Sequence, residues 1–198
     1  ATGEERFCTL SYVLLKYFTL CWMPHPLSSD YSFNTILYRH FTSWDFWASL
    51  AINISMLYFC VKLVIKRHIL GYAMAVYIGF LLMIGNVLMD IGATMGERLL
   101  FHSTIGFAMA FAWLILYGFE KLNAVSFNVR RVGLFAILSV IVFLYGCKTW
   151  ERNWDWKNDI TIFLKDVETM PNSVLVLGNA GARYIDLTST KTYVSNPY

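Results

Sequence analysis

Charged residues are scarce in this 198-residue chain. Asp, Glu, Lys and Arg make up 15% of it, against about 25% in a typical soluble domain. Hydrophobic residues account for 57%, and they are gathered in blocks close to the length of a membrane-spanning helix. This distribution argues against a soluble domain. It predicts an all-α, polytopic transmembrane helical bundle, because an open chain can satisfy its backbone in lipid only as helices.

Motifs for metals, disulfides and nucleic acids are also missing. The four cysteines form no CxxC pair, and the four histidines show no HxxxH or HExxH spacing. These absences argue against a zinc site or a disulfide framework. The net charge is only +3, and the basic residues form no stripe with interleaved aromatics, so we expect no nucleic-acid partner. The residues imply no cofactor by themselves.

Five apolar segments are candidate membrane spans, and we expect about four or five of them to cross. The first contains Lys16 in its middle, so it either spans or lies in the interface as an amphipathic helix. The fifth is short and needs flanking residues to span. The segments are residues 7–23, 46–65, 69–89, 99–119 and 132–147.

Basic residues in the short loops predict the orientation of the bundle. The loops that should face the cytoplasm contain Lys66, Arg67, Lys121, Arg130 and Arg131. The opposite face then receives loop 24–45, loop 90–98 and everything after Lys148. We therefore predict an integral membrane protein. The face that receives these two loops and the tail should be periplasmic in a bacterial inner membrane, or lumenal in a eukaryotic endoplasmic reticulum.

The chain changes character near residue 148, which predicts a transmembrane domain over residues 1–148 and a tail over 149–198. Two helical patterns follow one another in this tail, separated by Pro171, with Asn172 or Ser173 as the cap of the second. Such a helical hairpin is typical of the start of a tetratricopeptide-like repeat array, and residues 188–198 should be a frayed end. The periodic positions are Ile160, Phe163, Leu164 and Val167 in the first helix, and Leu177, Ala180, Gly181 and Tyr184 in the second.

The stretch "GERLLFHS" (residues 96–103) places charge at the edge of the fourth apolar segment. A helix N-terminus favours the carboxylate of Glu97 but disfavours the cation of Arg98. The guanidinium of Arg98 is suited to a bidentate grip on phosphate, and His102 follows one turn later on the same helix face. Two interpretations remain open: a boundary ion pair between Glu97 and Arg98, or a site for an anionic ligand.

The loop that begins "PHPLSSDYSFNTI" maps to the same face as this stretch. It contributes His25 and Asp30, which are either parts of a solvated turn or members of the same membrane-edge site. A divalent metal shared by His25, Asp30, Glu97 and His102 is a further alternative. Inside the apolar segments, Asn53 and Asn86 should hydrogen-bond to neighbouring helices.

Three stretches together resemble a known family: "PHPLSSDYSFNTI", "MGERLLFHSTIGF" and "RNWDWKNDITIFLKDVETMPNS", in this order. They are similar to GT-C-type polytopic glycosyltransferases with C-terminal tetratricopeptide repeats, the transmembrane-and-tetratricopeptide O-mannosyltransferase-like family, and most to its bacterial branch. The resemblance implies transfer of mannose or a similar hexose from a polyprenyl-phosphate carrier in the membrane to hydroxyls of secreted proteins. It also implies that the repeat tail engages the acceptor protein.

In this family the acidic catalytic residues lie in an outer loop near the N-terminus. We expect the present sequence to be a fragment that begins after that loop, lacks these acidic residues and need not be active alone. The resemblance then implies that this part binds the carrier phosphate or the substrate. The candidate site residues are Glu97, Arg98, His102, His25 and Asp30.

Two other classes of function stay open. A non-catalytic membrane scaffold, whose repeat tail recruits partner proteins, would need no charge at the outer face. A transporter would usually show internal repeats and Gly- or Pro-broken helices near the midplane, whereas this sequence shows no repeat between its halves and its charges lie at the edges of the apolar segments.

Overall fold

The computed structural model describes residues 2–29, 31, 35–88, 94–121 and 127–195, and within these ranges it contains helices and no strands. Three of its helices are long and apolar enough to cross a membrane. These findings confirm the predicted all-α, polytopic fold. In the described residues three helices have the length and hydropathy of a span, against the four or five that we expected, and Ile69–Ile84 is a shorter apolar helix. The three candidate spans are Trp44–Ile65, Glu97–Glu120 and Asn128–Asp155.

Each of the five apolar segments corresponds to one helix, and two helices follow in the tail. A short 3-10 turn, Glu97–Leu100, precedes the fourth helix. Helix α1 begins at a capping box, in which Thr2 and Glu5 satisfy each other's backbone N–H groups. The helices are α1 (Gly3–Trp22), α2 (Trp44–Ile65), α3 (Ile69–Ile84), α4 (Phe101–Glu120), α5 (Phe127–Asp155), α6 (Asp159–Thr169) and α7 (Val174–Ser195).

Helix α3 is shorter than the predicted segment 69–89. It ends at Ile84 with Gly85 as its cap, and the next residue, Asn86, adopts a left-handed φ of 56°. A left-handed residue just after a helix stops it, and Asn tolerates that conformation well. Residue 89 lies outside the described ranges. The amide of Asn86 donates to the carbonyl of Thr94 in the following loop at 3.5 Å, and its predicted bond to a neighbouring helix stays a prediction.

Helix α5 is longer than the segment 132–147, because polar flanking residues continue it on both sides. It has 29 residues, which corresponds to about 44 Å at 1.5 Å per residue. This length exceeds the roughly 30 Å of a bilayer's hydrocarbon core. Residue 148, where we placed the domain boundary, lies inside this continuous helix, and the division into two domains stays a prediction.

The bundle core is built by α1 to α4. Helix α3 packs against α2 and α4, and α1 packs against α2. The amide of Asn53 on α2 donates to the backbone carbonyl of Ser11 on α1 at 2.9 Å, which confirms its predicted bond across helices. Gly106 on α4 lies against the backbone of α3, where a Cβ atom would come within 2.4 Å of the Tyr77 nitrogen. The buried core cluster comprises Val13, Tyr17, Leu20, Cys21, Tyr31, Tyr77, Leu81, Met95 and Leu100.

The tail forms the predicted helical hairpin, with α6 packed against α7. Ser173 caps α7 as expected, because its hydroxyl accepts the N–H of Val176 at 3.3 Å. The predicted buried face of α7 is wrong in part. Val176 and Ala180 are buried, whereas Leu177 and Tyr184 are about half exposed, because α6 packs against one side of this helix. Helix α7 also continues to Ser195 instead of fraying from residue 188, and residues 196–198 lie outside the described ranges.

Candidate functional site

Three segments that are far apart in sequence meet at one end of the bundle. The loop after α1 contributes Ser28 and Ser29, the turn before α4 contributes Glu97, and helix α6 contributes Asp166. The backbone N–H of Ser28 donates to Glu97 Oε1, and that of Ser29 donates to Asp166 Oδ2 at 3.0 Å. The two loops and the tail that we predicted to share one face therefore come together there.

A cavity of about 610 Å³ lies at this meeting point. Its lining combines a smaller set of polar and charged residues with a larger set of apolar ones, so its chemistry suits a ligand with a charged head and a hydrocarbon chain. The polar lining residues are Ser28, Ser29, Glu97, Arg98, Thr104 and Thr149, and the apolar ones include Leu20, Leu27, Leu100, Phe101, Tyr145 and Trp156.

Glu97 is half-buried and holds the loop after α1 in place. Its Oε1 accepts the N–H of Ser28 and also the hydroxyl of Tyr31 at 2.7 Å. Burial, followed by the nearby Glu97 carboxylate, raises the pKa of Tyr31 above its usual value, so the hydroxyl keeps its proton and acts as a donor. The boundary ion pair with Arg98, one of the two interpretations of "GERLLFHS", is not formed. Glu97 serves instead as an acceptor for the loop.

Helix α1 holds the turn that contains Glu97 in place. The hydroxyl of Tyr17, which is fully buried, accepts the N–H of Gly96 at 3.0 Å. The preceding residue, Met95, is only 1% exposed and belongs to the core cluster. The turn is therefore anchored on both sides of Gly96, which sets the position of the carboxylate that follows it.

Arg98 is exposed and lines the cavity. It forms no ion pair or hydrogen bond with any side chain in the part of the chain that the structure describes. A guanidinium with its donors available at the edge of a cavity can bind phosphate or carboxylate in a bidentate manner.

Two other predicted site residues, His102 and His25, are not among the described residues that line this cavity. His102 is exposed, and its ring lies 5.5 Å from that of Phe80 on α3. His25 is exposed and lines a separate, charged cavity of about 290 Å³ beside Lys148 and Glu151. Asp30 lies outside the described residues. Among the described residues, no group of three His, Cys, Asp or Glu side chains is placed to hold a metal ion.

Sequence reasoning missed Asp166, Arg152, Ser29 and Tyr31. Asp166 is fully buried, although it belongs to a helix that we expected to be amphipathic. It follows Phe163 by three residues and the buried Ile162 by four, so it lies at the edge of the apolar face of that pattern, on the side of Ile162. A carboxylate on an apolar face needs partners, and this was the available signal.

The chain is similar to several proteins named protein O-mannosyl-transferases. It is 24% identical to Tmtc3 of Drosophila melanogaster over 191 residues, which cover 91% of this chain and 20% of that protein. It is 27% identical to human TMTC3 over 96 residues, which cover 48% of this chain and 10% of that protein. Tmtc1 of Drosophila melanogaster is 28% identical over 97 residues, 49% of this chain and 11% of that protein.

No protein-family model matches the chain, and no solved structure matches it. The chain spans about one tenth to one fifth of the length of the curated relatives it matches. The matched stretch is nevertheless nearly the whole of this chain in one relative. We conclude that this is an integral membrane protein that is distantly homologous to proteins named protein O-mannosyl-transferases.

Proposed function

We propose that this chain is part of a membrane glycosyltransferase that moves mannose or a similar hexose from a polyprenyl-phosphate carrier to hydroxyls of secreted proteins. Its cavity would bind the phosphate end of the carrier. The observation that carries this proposal is the exposed Arg98 in the lining of an otherwise mainly apolar cavity of about 610 Å³. The names of the distant homologues support the same class of reaction.

Each part of the cavity has a role in this proposal. The phosphate gains negative charge as the bond between the sugar and the phosphate oxygen breaks, and Arg98 neutralises that charge. Glu97 Oε1 is occupied by Ser28 and Tyr31, so Oε2 is the oxygen that can accept a sugar hydroxyl. The apolar side chains next to them, such as Leu100 and Phe101, pack against the first isoprene units of the carrier.

The setting of the reaction belongs to the proposal as well. We assign the cavity to the periplasmic face of a bacterial inner membrane, or to the lumenal face of the endoplasmic reticulum. The hairpin of α6 and α7 begins a tetratricopeptide-like array that engages the acceptor protein. We assign no catalytic Asp or Glu to the described residues, because the resemblance places the family's acidic catalytic residues in an earlier loop.

Replacing Arg98 with alanine tests the proposal. A hydrogen bond to a charged group contributes about 1.5–3 kcal/mol, so we expect a loss of transfer of about 10- to 100-fold. Arg98→Lys keeps the charge but not the bidentate fork and should lie between the two. The measurement is transfer of radiolabelled hexose from a panel of polyprenyl-phosphate carriers to secreted-protein extract, with the complete natural protein in membranes at equal expression.

Arg131→Ala is the matched control, because Arg131 is an exposed arginine near the start of α5, outside the residues that line the cavity. It should transfer like the wild type. If Arg98→Ala also matches the wild type, Arg98 only marks a helix boundary and the carrier-phosphate assignment fails. If the wild type transfers no hexose from any carrier, the scaffold interpretation replaces the enzyme.

A further inference from the structure

We propose that Asp166 is a positioning residue that ties helix α6 of the tail to the loop held by Glu97, so that the tail hairpin becomes a structural part of the cavity. The structural half of this inference stands on the contacts alone. Its effect on carrier binding rests on the proposed function.

Asp166 has the burial and the partners of a fixed anchor. Its side chain is 0% exposed. Its Oδ2 accepts both the backbone N–H of Ser29, at 3.0 Å, and the Ser29 hydroxyl. Its Oδ1 lies 3.5 Å from Nη2 of Arg152 on α5. A buried carboxylate is costly without such partners, and here two elements outside α6 supply them.

The two serines connect Asp166 to the candidate site. Ser28 donates its backbone N–H to Glu97, and the next residue, Ser29, donates its own to Asp166. Two consecutive amides of one loop are therefore held by carboxylates from two different segments. Both serines line the cavity, so a loop released from Asp166 would change the shape of the cavity wall and the support of Glu97.

Arg152 compensates the charge of the anchor. Its side chain is 12% exposed, and it pairs with Asp155 at 3.1 Å as well as with Asp166. Because Arg152 belongs to α5, the anchor joins the long helix, the tail helix and the loop. Linkage is reciprocal: if Asp166 supports the cavity, a ligand in the cavity must stabilise the docking of α6.

Hydrogen exchange in the complete natural protein, reconstituted in lipid nanodiscs, tests the structural half. We expect Asp166→Asn and Asp166→Ala to raise amide exchange at Ser28 and Ser29 by about tenfold or more, with unchanged protection in α3 and α4. The asparagine variant is disruptive because both carboxylate oxygens face donors, so its NH2 group must point at a donor of either Ser29 or Arg152. Glu168→Gln is the matched control, because Glu168 is exposed on the same helix and pairs with Lys165. It should exchange like the wild type. Unchanged exchange at both serines in the Asn and Ala variants would overturn the inference.

The functional half is tested by measuring the binding of polyprenyl phosphate. This lipid is the probe, and it is presented in vesicles of otherwise neutral lipid. We expect Asp166→Asn to weaken binding at least fivefold and Glu168→Gln to leave it unchanged. Faster exchange with unaltered binding would overturn the link to the cavity. If the wild type binds no polyprenyl phosphate but Asp166→Asn still frees the loop, the proposed function fails while the anchoring role of Asp166 is supported.

Discussion

Replacing Gly106 with alanine is expected to destabilise the packing of α3 against α4 by about 1–3 kcal/mol or more, the usual cost of overpacking a tight core. A Cβ atom at this position would lie 2.4 Å from the backbone nitrogen of Tyr77 and 2.6 Å from the carbonyl oxygen of Ala73. Both are backbone atoms, so no side chain can rotate to make room. The two helices would have to move apart, which would loosen the packing of the core cluster to which Tyr77 belongs.

The measurement is the midpoint of thermal unfolding of the protein in detergent or nanodiscs, monitored with a spectroscopic signal of unfolding. Gly118→Ala is the control in the same helix, because a Cβ there meets nothing within 4 Å. It should be neutral or slightly stabilising, since alanine favours helix over glycine by about 0.5–1 kcal/mol. Equal midpoints for the two variants would contradict the close approach of α3 and α4.

Replacing Glu97 with alanine is expected to lower hexose transfer by about 100-fold. The substitution removes the acceptor of both the Ser28 amide and the Tyr31 hydroxyl. Tyr31 is only 3% exposed and Ser28 is fully buried, so neither donor can turn to bulk water. The Tyr31 hydroxyl keeps a second acceptor, the carbonyl of Pro26 at 3.0 Å, so the main loss falls on the Ser28 amide. A buried donor left without its partner costs about 1–3 kcal/mol, and the loop should leave its position against the cavity.

Glu97→Gln separates the role of the acceptor from the role of the charge. Glutamine keeps a carbonyl oxygen at the position of Oε1, so it can still hold the loop, and we expect transfer within about tenfold of the wild type. Transfer by Glu97→Ala at the wild-type rate would contradict the anchoring role. A loss in Glu97→Gln as severe as in Glu97→Ala would show that the charge itself is needed. Transfer is measured with the same carriers and acceptor extract as for Arg98, after equal expression has been checked.

The helices were largely predictable because hydropathy and periodicity are local properties. The end of α3 was not, since it depends on the left-handed conformation of Asn86, which an apolar run does not reveal. The end of α5 was also missed. The residues after position 147 are largely polar and give no hydropathy signal, although the helix continues to Asp155.

The site was predictable in part. Glu97 and Arg98 line the cavity, as the charge pattern at the helix edge suggested. His102 does not, because the turn Glu97–Leu100 is a 3-10 helix with about three residues per turn. The rule that positions four apart share a face of an α-helix therefore fails between Arg98 and His102. The loop partners of Glu97 and Asp166 are 66 to 137 residues away in sequence, and no local pattern could pair them.

The continuous course of α5 has a mechanical consequence. Tyr145 lines the cavity and donates its hydroxyl to the carbonyl of Cys21 at 2.8 Å, which ties the helix to the end of α1. Arg152, two helical turns further along, contacts the buried carboxylate of the tail. Helix α5 therefore forms part of the cavity wall and also contacts the tail hairpin. Because this helix is continuous, a tilt of α5 would move the cavity wall at Tyr145 and the contact with Asp166 together, so the width of the cavity and the angle of the hairpin would change in concert.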